Sequence, residues 1–206
     1  MTRLVLASRS PARLSTLRCA GIEPIVRVSG VDEDAALEES RRRSGELKPA
    51  GVALLLARAK AEDVAAQAGP DVLVLGCDSI LELDGAIHGK PADAAEAIRR
   101  WRAMRGGTGV LHTGHWLVDG RDSAGQAVGA TASTVVHFAD LTDAEIEAYV
   151  ASGEPLHVAG AFTIDGLGGP FVTGIEGDHH NVVGLSLPLL RTLLADLGVP
   201  ITQLWQ

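Results

Sequence analysis

Apolar and polar positions along this 206-residue chain switch repeatedly between a period of two and a period near 3.6, and the switches mark its elements. TRLVLAS (2–8) is a near-continuous apolar run and predicts a short buried strand. Ser10 then suits an N-cap and Pro11 the first helical position, where a missing N–H costs nothing. That helix is expected to reach about Ala20 and to stop at Gly21. Residues 34–50, with Arg41, Arg42, Arg43, Gly45 and Pro49, follow neither period and predict a polar loop or short helix, the arginines on a solvated face. VALLLARAKAEDVAAQAG (52–69) returns to helical spacing and ends at Gly69-Pro70.

DVLVLG (71–76) is the pattern of a strand buried on both faces. Asp84-Gly85 between ILEL and AIH predicts a hairpin turn. A helix is expected over 92–104 and strands over 109–118 and 129–138. LTDAEIEAYVASG carries a capping box, Thr142 with Glu145, and closes at Gly153. The glycine-rich 159–176 region reads as strand-turn-strand, and a last helix spans about 186–197. Strands alternating with helices, plus hairpins, predict an α/β fold with a mixed sheet.

Composition narrows the function classes. The formal charge of −8 disfavours a binder of nucleic-acid polymers, but suits a small anion carried with a divalent cation. Cys19 and Cys77, far apart, form neither a disulfide framework nor a zinc set. MTRLVLA is too short an apolar run for a signal segment, and no run approaches a membrane span, so a cytoplasmic location is expected.

Four places could carry chemistry. In LASRSPARL (6–14), Ser8, Ser10, Arg9 and Arg13 gather hydroxyls and cations at a helix start, a cradle for an anion. An ordinary cap with surface-paired arginines fits the same residues. Asp78 directly follows the buried run, so it would lie at the carboxyl end of a strand, where open α/β sheets bind ligands. Its alternative is a turn aspartate capping amides. Glu33, in the acidic loop VDED, could add a second carboxylate, and two hard oxygen ligands with a phosphate suit Mg²⁺ or Mn²⁺. Lys60 interrupts the apolar stripe of its helix, as a snorkelling lysine also would. Lys90 lies in the turn HGKP; the preceding glycines imitate a phosphate loop but lack its length and its Ser/Thr. Asp178, His179, His180 and Asn181 read as solvent-exposed rather than metal-binding. Gly166, Gly168 and Gly169 read as hairpin chemistry, and Cys77 as buried packing.

Taken together, LASRSPARL, VDE (31–33), ARAKA (57–61), LGCDSILELDGAIHGKP (75–91), HTGHWLV (112–118) and EPLHVAGAFTIDGLGG followed by NVVGL resemble the Maf family in order and spacing over nearly the whole chain. The resemblance implies one Maf-like domain over residues 1–206. Its fold would be similar to that of the inosine-triphosphate pyrophosphatases: a long twisted mixed sheet with flanking helices and two lobes around a cleft. It implies a cytoplasmic homodimer that hydrolyses a nucleoside triphosphate to monophosphate and pyrophosphate with a divalent cation. By matching motif, Asp78 is the expected catalytic base and Glu33 a metal-side carboxylate, with Asp78 also facing the metal. Ser8, Ser10, Arg13, Lys60 and Lys90 are expected at the phosphates, with Arg9 beside them.

Base preference stays open at this level. The dTTP/UTP branch of the family has two arginines after SP, threonine after the catalytic aspartate and IQG in the late hairpin. Here those positions hold Ala12, Ser79 and Asp165. EPLHVAGAFTIDGLGG is closer to the 7-methyl-GTP branch, in which an acidic residue at the place of Asp165 could face a guanine edge. Maf-like proteins are also associated with septum formation, so the alternative is a nucleotide-binding regulator with little turnover.

Overall fold

The structure is a computed structural model describing residues 2–121 and 125–206. Its strands are β1 (Arg3–Leu6), β2 (Ile25–Val26), β3 (Val72–Leu83), β4 (Ala86–His88), β5 (Thr108–Asp119), β6 (Ala127–Phe138) and β7 (Val172–Glu176). Its helices are α1 (Pro11–Cys19), α2 (Glu33–Ser44), α3 (Pro49–Ala68), α4 (Ala94–Met104), α5 (Asp143–Ala151), α6 (His179–Val183) and α7 (Leu187–Asp196). The strands form one mixed sheet in the order β2-β1-β3-β5-β6-β7, as the α/β reading expects. β2, β1 and β3 run parallel, and the remaining pairs are antiparallel.

Most elements obey their local signals. Ser10 accepts from the Arg13 amide at the start of α1, and Pro11 takes the first turn. Asp84 and Gly85 both have positive φ, the backbone of a two-residue hairpin turn, and join β3 to β4. Thr142 and Glu145 complete the capping box of α5.

One open reading is settled and two expectations are corrected. First, of the loop and the short helix open for residues 34–50, the helix forms: α2 occupies twelve residues, capped by Asp32. Glu33 and Asp34 stand in its first turn and the three arginines in its last, complementing the helix dipole, while Glu39 pairs with Arg42 and Arg43. Charge order rather than an apolar stripe makes this helix. Second, DVLVLG is half a strand, because β5 pairs with β3 continuously from Leu73 to Glu82. Asp78 is therefore mid-strand, not at a strand's carboxyl end. Third, 159–176 holds one strand, not two. Gly160 and Ala161 turn the chain with positive φ, and the Trp101 indole N–H fixes the Ala161 carbonyl at 2.8 Å.

β3 organises the core. One face carries Leu73, Leu75 and Cys77 into a cluster with Leu17 of α1 and Leu190, Leu193 and Leu194 of α7. Farther along, Leu81 and Leu83 enter a second cluster with Trp101, Phe138, Tyr149 and Phe162. Ser79 is the polar break between these apolar bodies, while Asp78 faces the other side of the sheet. The opposite face is covered by α3, whose Ala53, Ala57 and Ala61 repeat at every fourth residue and are fully buried. Glycines in the sheet admit this helix. A Cβ on Gly76 would lie 2.2 Å from the Ala57 carbonyl oxygen, and one on Gly114 would lie 2.2 Å from that of Ala53. No helix among the described residues is long and apolar enough to cross a membrane.

Gly114→Ala must push α3 off the sheet, and is expected to lower the free energy of unfolding by about 1–3 kcal/mol or more. Gly30→Ala meets no neighbour within 4 Å and should stay within about 0.5 kcal/mol of the parent in the same urea titration.

Candidate active site

The edge of β3 opposite β5 is occupied twice. β1 pairs with it over Val72–Leu75 and β4 over Leu81–Leu83, which leaves residues 76–80 without a strand partner on that side. The candidate residues collect around this gap, on two faces of the sheet.

On the α3 face stand Asp78, Lys60 and Glu33. The close approach at Gly76 and Gly114 holds the stem of Lys60 against the sheet, so its Nζ donates to Oδ1 of Asp78 at 2.5 Å. The same ammonium lies 2.8 Å from Oε1 of Glu33, the first residue of α2. Lys60 and Asp78 side chains are each 13% exposed, whereas Glu33 is 50% exposed. The inner pair is thus shielded from solvent screening and the outer carboxylate reaches water. Burial raises the Asp78 pKa above its ordinary value, against the opposing pull of Lys60 and then Arg13. A carboxylate of raised basicity beside a solvent-facing edge is suited to accept a proton. Asp78 and Glu33 converge on one cationic atom, and both offer hard oxygens. That donor set fits Mg²⁺ or Mn²⁺ whose remaining ligands come from phosphate and water.

On the other face, Arg13 is a tie between segments. Its Nε donates to the Gly184 carbonyl at 2.7 Å, and its Nη1 to the Cys77 carbonyl at 2.9 Å and Ser8 Oγ at 3.1 Å. Its Nη2 donates to Ser79 Oγ at 3.0 Å. Four of its five N–H groups are spent on the protein, so the expected phosphate contact is reduced to one. Arg13 takes the place of a strand partner at the gap, satisfying Cys77. Ser8 also accepts from the Ser10 amide.

Ser79 stands 2.9 Å from Thr113 Oγ1, which donates to the Asn181 carbonyl. With Arg13 on its other side, its hydroxyl is engaged inside the protein.

Arg9 is exposed beside the α1 start. Lys90 is exposed in the loop after β4; extending the Leu81↔His88 register by two residues sets it level with Ser79. Asp165 is exposed and accepts from the Thr163 hydroxyl, away from the Lys60 cluster's bonds. Gly166 and Gly168 form no hairpin; Gly166 allows close approach to Glu154 and Gly168 to the Tyr149 hydroxyl, and Glu154 accepts the amides of Leu167 and Gly168 at 2.9 Å each. Asp178 caps α6 and His179 is exposed. Asn181 is buried and donates to Leu111 and Thr134. Burial lifts the Cys77 thiol to about 12, which fits packing rather than a nucleophile.

Sequence reasoning missed Thr113, Asn181 and His115 as supports of the site. His115 is fully buried, with Nδ1 3.0 Å from the Thr113 carbonyl and Nε2 accepting from the Ser186 amide at 2.8 Å. Those partners select the neutral Nδ1–H form, and burial lowers its pKa from 6.5 to about 4. The HTGH spacing on β5 was the available signal: alternate residues of a strand share a face, which puts Thr113 and His115 on the same side.

Comparison with known proteins gives the chain's relatives. The family model described as Maf-like protein matches residues 3–197. A nucleoside triphosphate pyrophosphatase of Streptomyces coelicolor is 62% identical over 206 residues, covering 98% of this chain and 94% of that protein. One of Salinispora tropica is 61% identical over 207 residues, covering 98% and 87%. One of Leifsonia xyli is 58% identical over 207 residues, covering 98% and 96%.

Two measurements check the supports. Arg13→Met leaves the Gly184 and Cys77 carbonyls without their donors, and should lower stability by about 2–4 kcal/mol in urea unfolding. For His115, the folded pKa is depressed, so its contribution is complete above about pH 6.5 and is lost as pH falls towards about 4. The parent should lose about 3 kcal/mol more stability than His115→Gln between pH 7 and pH 4. Parallel curves would return His115 to an ordinary exposed-like titration.

Proposed function

The chain belongs to the Maf family, and from that premise we propose that it is a nucleoside triphosphate pyrophosphatase whose reacting centre is the Glu33–Lys60–Asp78 cluster. The carrying observation is the largely shielded Lys60 ammonium bridging Asp78 and Glu33 at the unpaired stretch of β3. A binding module that only held a nucleotide would gain little from burying a carboxylate beside phosphates, since like charges repel. A hydrolase needs a base there.

The chemistry follows from charge and position. A triphosphate lying along the gap meets the α1 N-terminus with Ser10 and Arg9 on one side, and Lys60 and Lys90 on the other. Phosphoryl transfer asks mainly for positioning and neutralisation, which these groups supply. Asp78 accepts a proton from a water as that water's oxygen attacks the α-phosphorus. The bond from the α-phosphorus to the bridging oxygen breaks, and pyrophosphate leaves with the electron pair. Lys60 holds Asp78 charged until then. When bound, Mg²⁺ or Mn²⁺ held by Asp78 and Glu33 would add neutralisation of the phosphate oxygens. Arg13 and Ser79 act behind this line, fixing the α1 start to β3. Asp165 is exposed and accepts one bond from the Thr163 hydroxyl, which leaves its carboxylate with acceptor sites for a base edge.

The test is pyrophosphate release from a panel of dTTP, UTP, CTP, GTP, ITP, 7-methyl-GTP and methylated pyrimidine triphosphates with Mg²⁺ or Mn²⁺. Asp78→Asn should lower turnover of every accepted nucleotide by about 100-fold or more, while nucleotide still binds. Full turnover by Asp78→Asn would remove the cluster from the chemistry.

A further inference from the structure

Lys90 stands on a loop whose backbone is fixed far more firmly than an exposed lysine requires. Pro91 is buried, and a proline restricts the residue before it to extended backbone. On the near side, the Gly89 carbonyl accepts two bonds, from Nη1 of Arg100 at 2.5 Å and from the Gly160 amide at 3.0 Å. On the far side, the Ala92 amide donates to Oε2 of Glu96 at 2.7 Å. Arg100 and Glu96 are themselves an ion pair one helical turn apart on α4, at 2.5 Å, and the Arg100 side chain is only 4% exposed. A single pair thus grips the loop at Gly89 and again at Ala92, with Lys90 and Pro91 between.

The grip is electrostatically consistent. The Ala92 amide bond, then Arg100, hold the Glu96 carboxyl below the usual range, so the pair stays charged at neutral pH. Arg100 is a buried guanidinium, and such a group is worth keeping only where its donors are used. Here they end on the peptide that precedes Lys90. The loop also gains nothing from β4, which ends at His88.

We propose that Arg100 and Glu96 are positioning residues that hold the Lys90 ammonium over the gap in β3, at the height of Ser79. This rests on the reading that Lys90 contacts the substrate phosphates. Neither residue touches substrate. Both act through the loop, and their effect on catalysis passes through Lys90 alone.

A double-mutant cycle tests this, with steady-state pyrophosphate release measured on the best substrate of the panel. Lys90→Ala is expected to lower kcat/KM by roughly 10- to 100-fold. Arg100→Met should lower it by about tenfold in the parent, yet by less than about twofold in the Lys90→Ala background. Arg100→Lys should restore part of the loss, because its ammonium can still reach one carbonyl. Should Arg100→Met fail to fold, Glu96→Ala, on the exposed side of the pair, takes its place in the same cycle. Thermal melts separate unfolding from misplacement. Equal losses in both backgrounds, or no loss with Lys90→Ala active as a control, would overturn the clamp. An inert Lys90→Ala would overturn the phosphate reading of Lys90 and the clamp with it, while the Asp78→Asn result would stand apart.

Discussion

Everything at the candidate centre depends on how closely α3 lies against the sheet. Helices usually stand off a sheet by the depth of their side chains, about 10 Å between axes and plane. Here Gly76 and Gly114 present bare backbone to Ala53, Ala57 and Ala61, and the helix backbone itself makes the contact. Lys60, on that same helix, is carried down with it. Its ammonium reaches Asp78 without stretching, and the rest of its stem is covered. A larger residue at any of these small positions would lift Lys60 away from the carboxylate. The polar cluster is therefore a consequence of apolar geometry.

The second constraint is topological. β3 has one continuous neighbour in β5, and two short ones, β1 and β4, at either end of its other edge. The stretch between them would be an exposed strand edge, a place where proteins must manage unpaired backbone groups. Arg13 manages one carbonyl from the α1 side, and Lys60 sits above the gap from the α3 side. Because neighbouring residues of a strand point oppositely, Asp78 and Ser79 serve different faces. Asp78 enters the charged cluster; Ser79 enters the hydrogen-bonded framework with Arg13 and Thr113. An edge opening lets a ligand meet both.

How much of this could be read in advance depends on whether the signal was local. The Ser10-Pro11 helix start, the Asp84-Gly85 turn and the Thr142–Glu145 box were legible because each acts within a few residues. Lys60 was legible as an interruption of an apolar stripe, and its reason came only with the fold. For α2 the sequence leaves loop and short helix open, because its stability comes from charge order, which an apolar-period reading does not weigh. Asp78 was found, but at the wrong place on its strand: a charged residue looked like an end, and only pairing to β5 carries the strand through it. Arg13 looked free because its partners, Cys77 and Gly184, lie 64 and 171 residues away. For Asp165 the partner is local, since the Thr163 hydroxyl two residues away donates to its carboxylate.

On the proposed function, the hard-oxygen pair at the β3 gap, and not another part of the molecule, receives the metal and the triphosphate. The most direct measurement is a crystal structure of the parent protein with Mn²⁺ and a non-hydrolysable nucleoside triphosphate, with manganese located by its anomalous signal. The expected result is manganese against Asp78 and Glu33, with the phosphates between the α1 start and Lys90. Manganese at the other cluster of ligand-type side chains, Asp178, His179 and His180, with the nucleotide beside it, would contradict it.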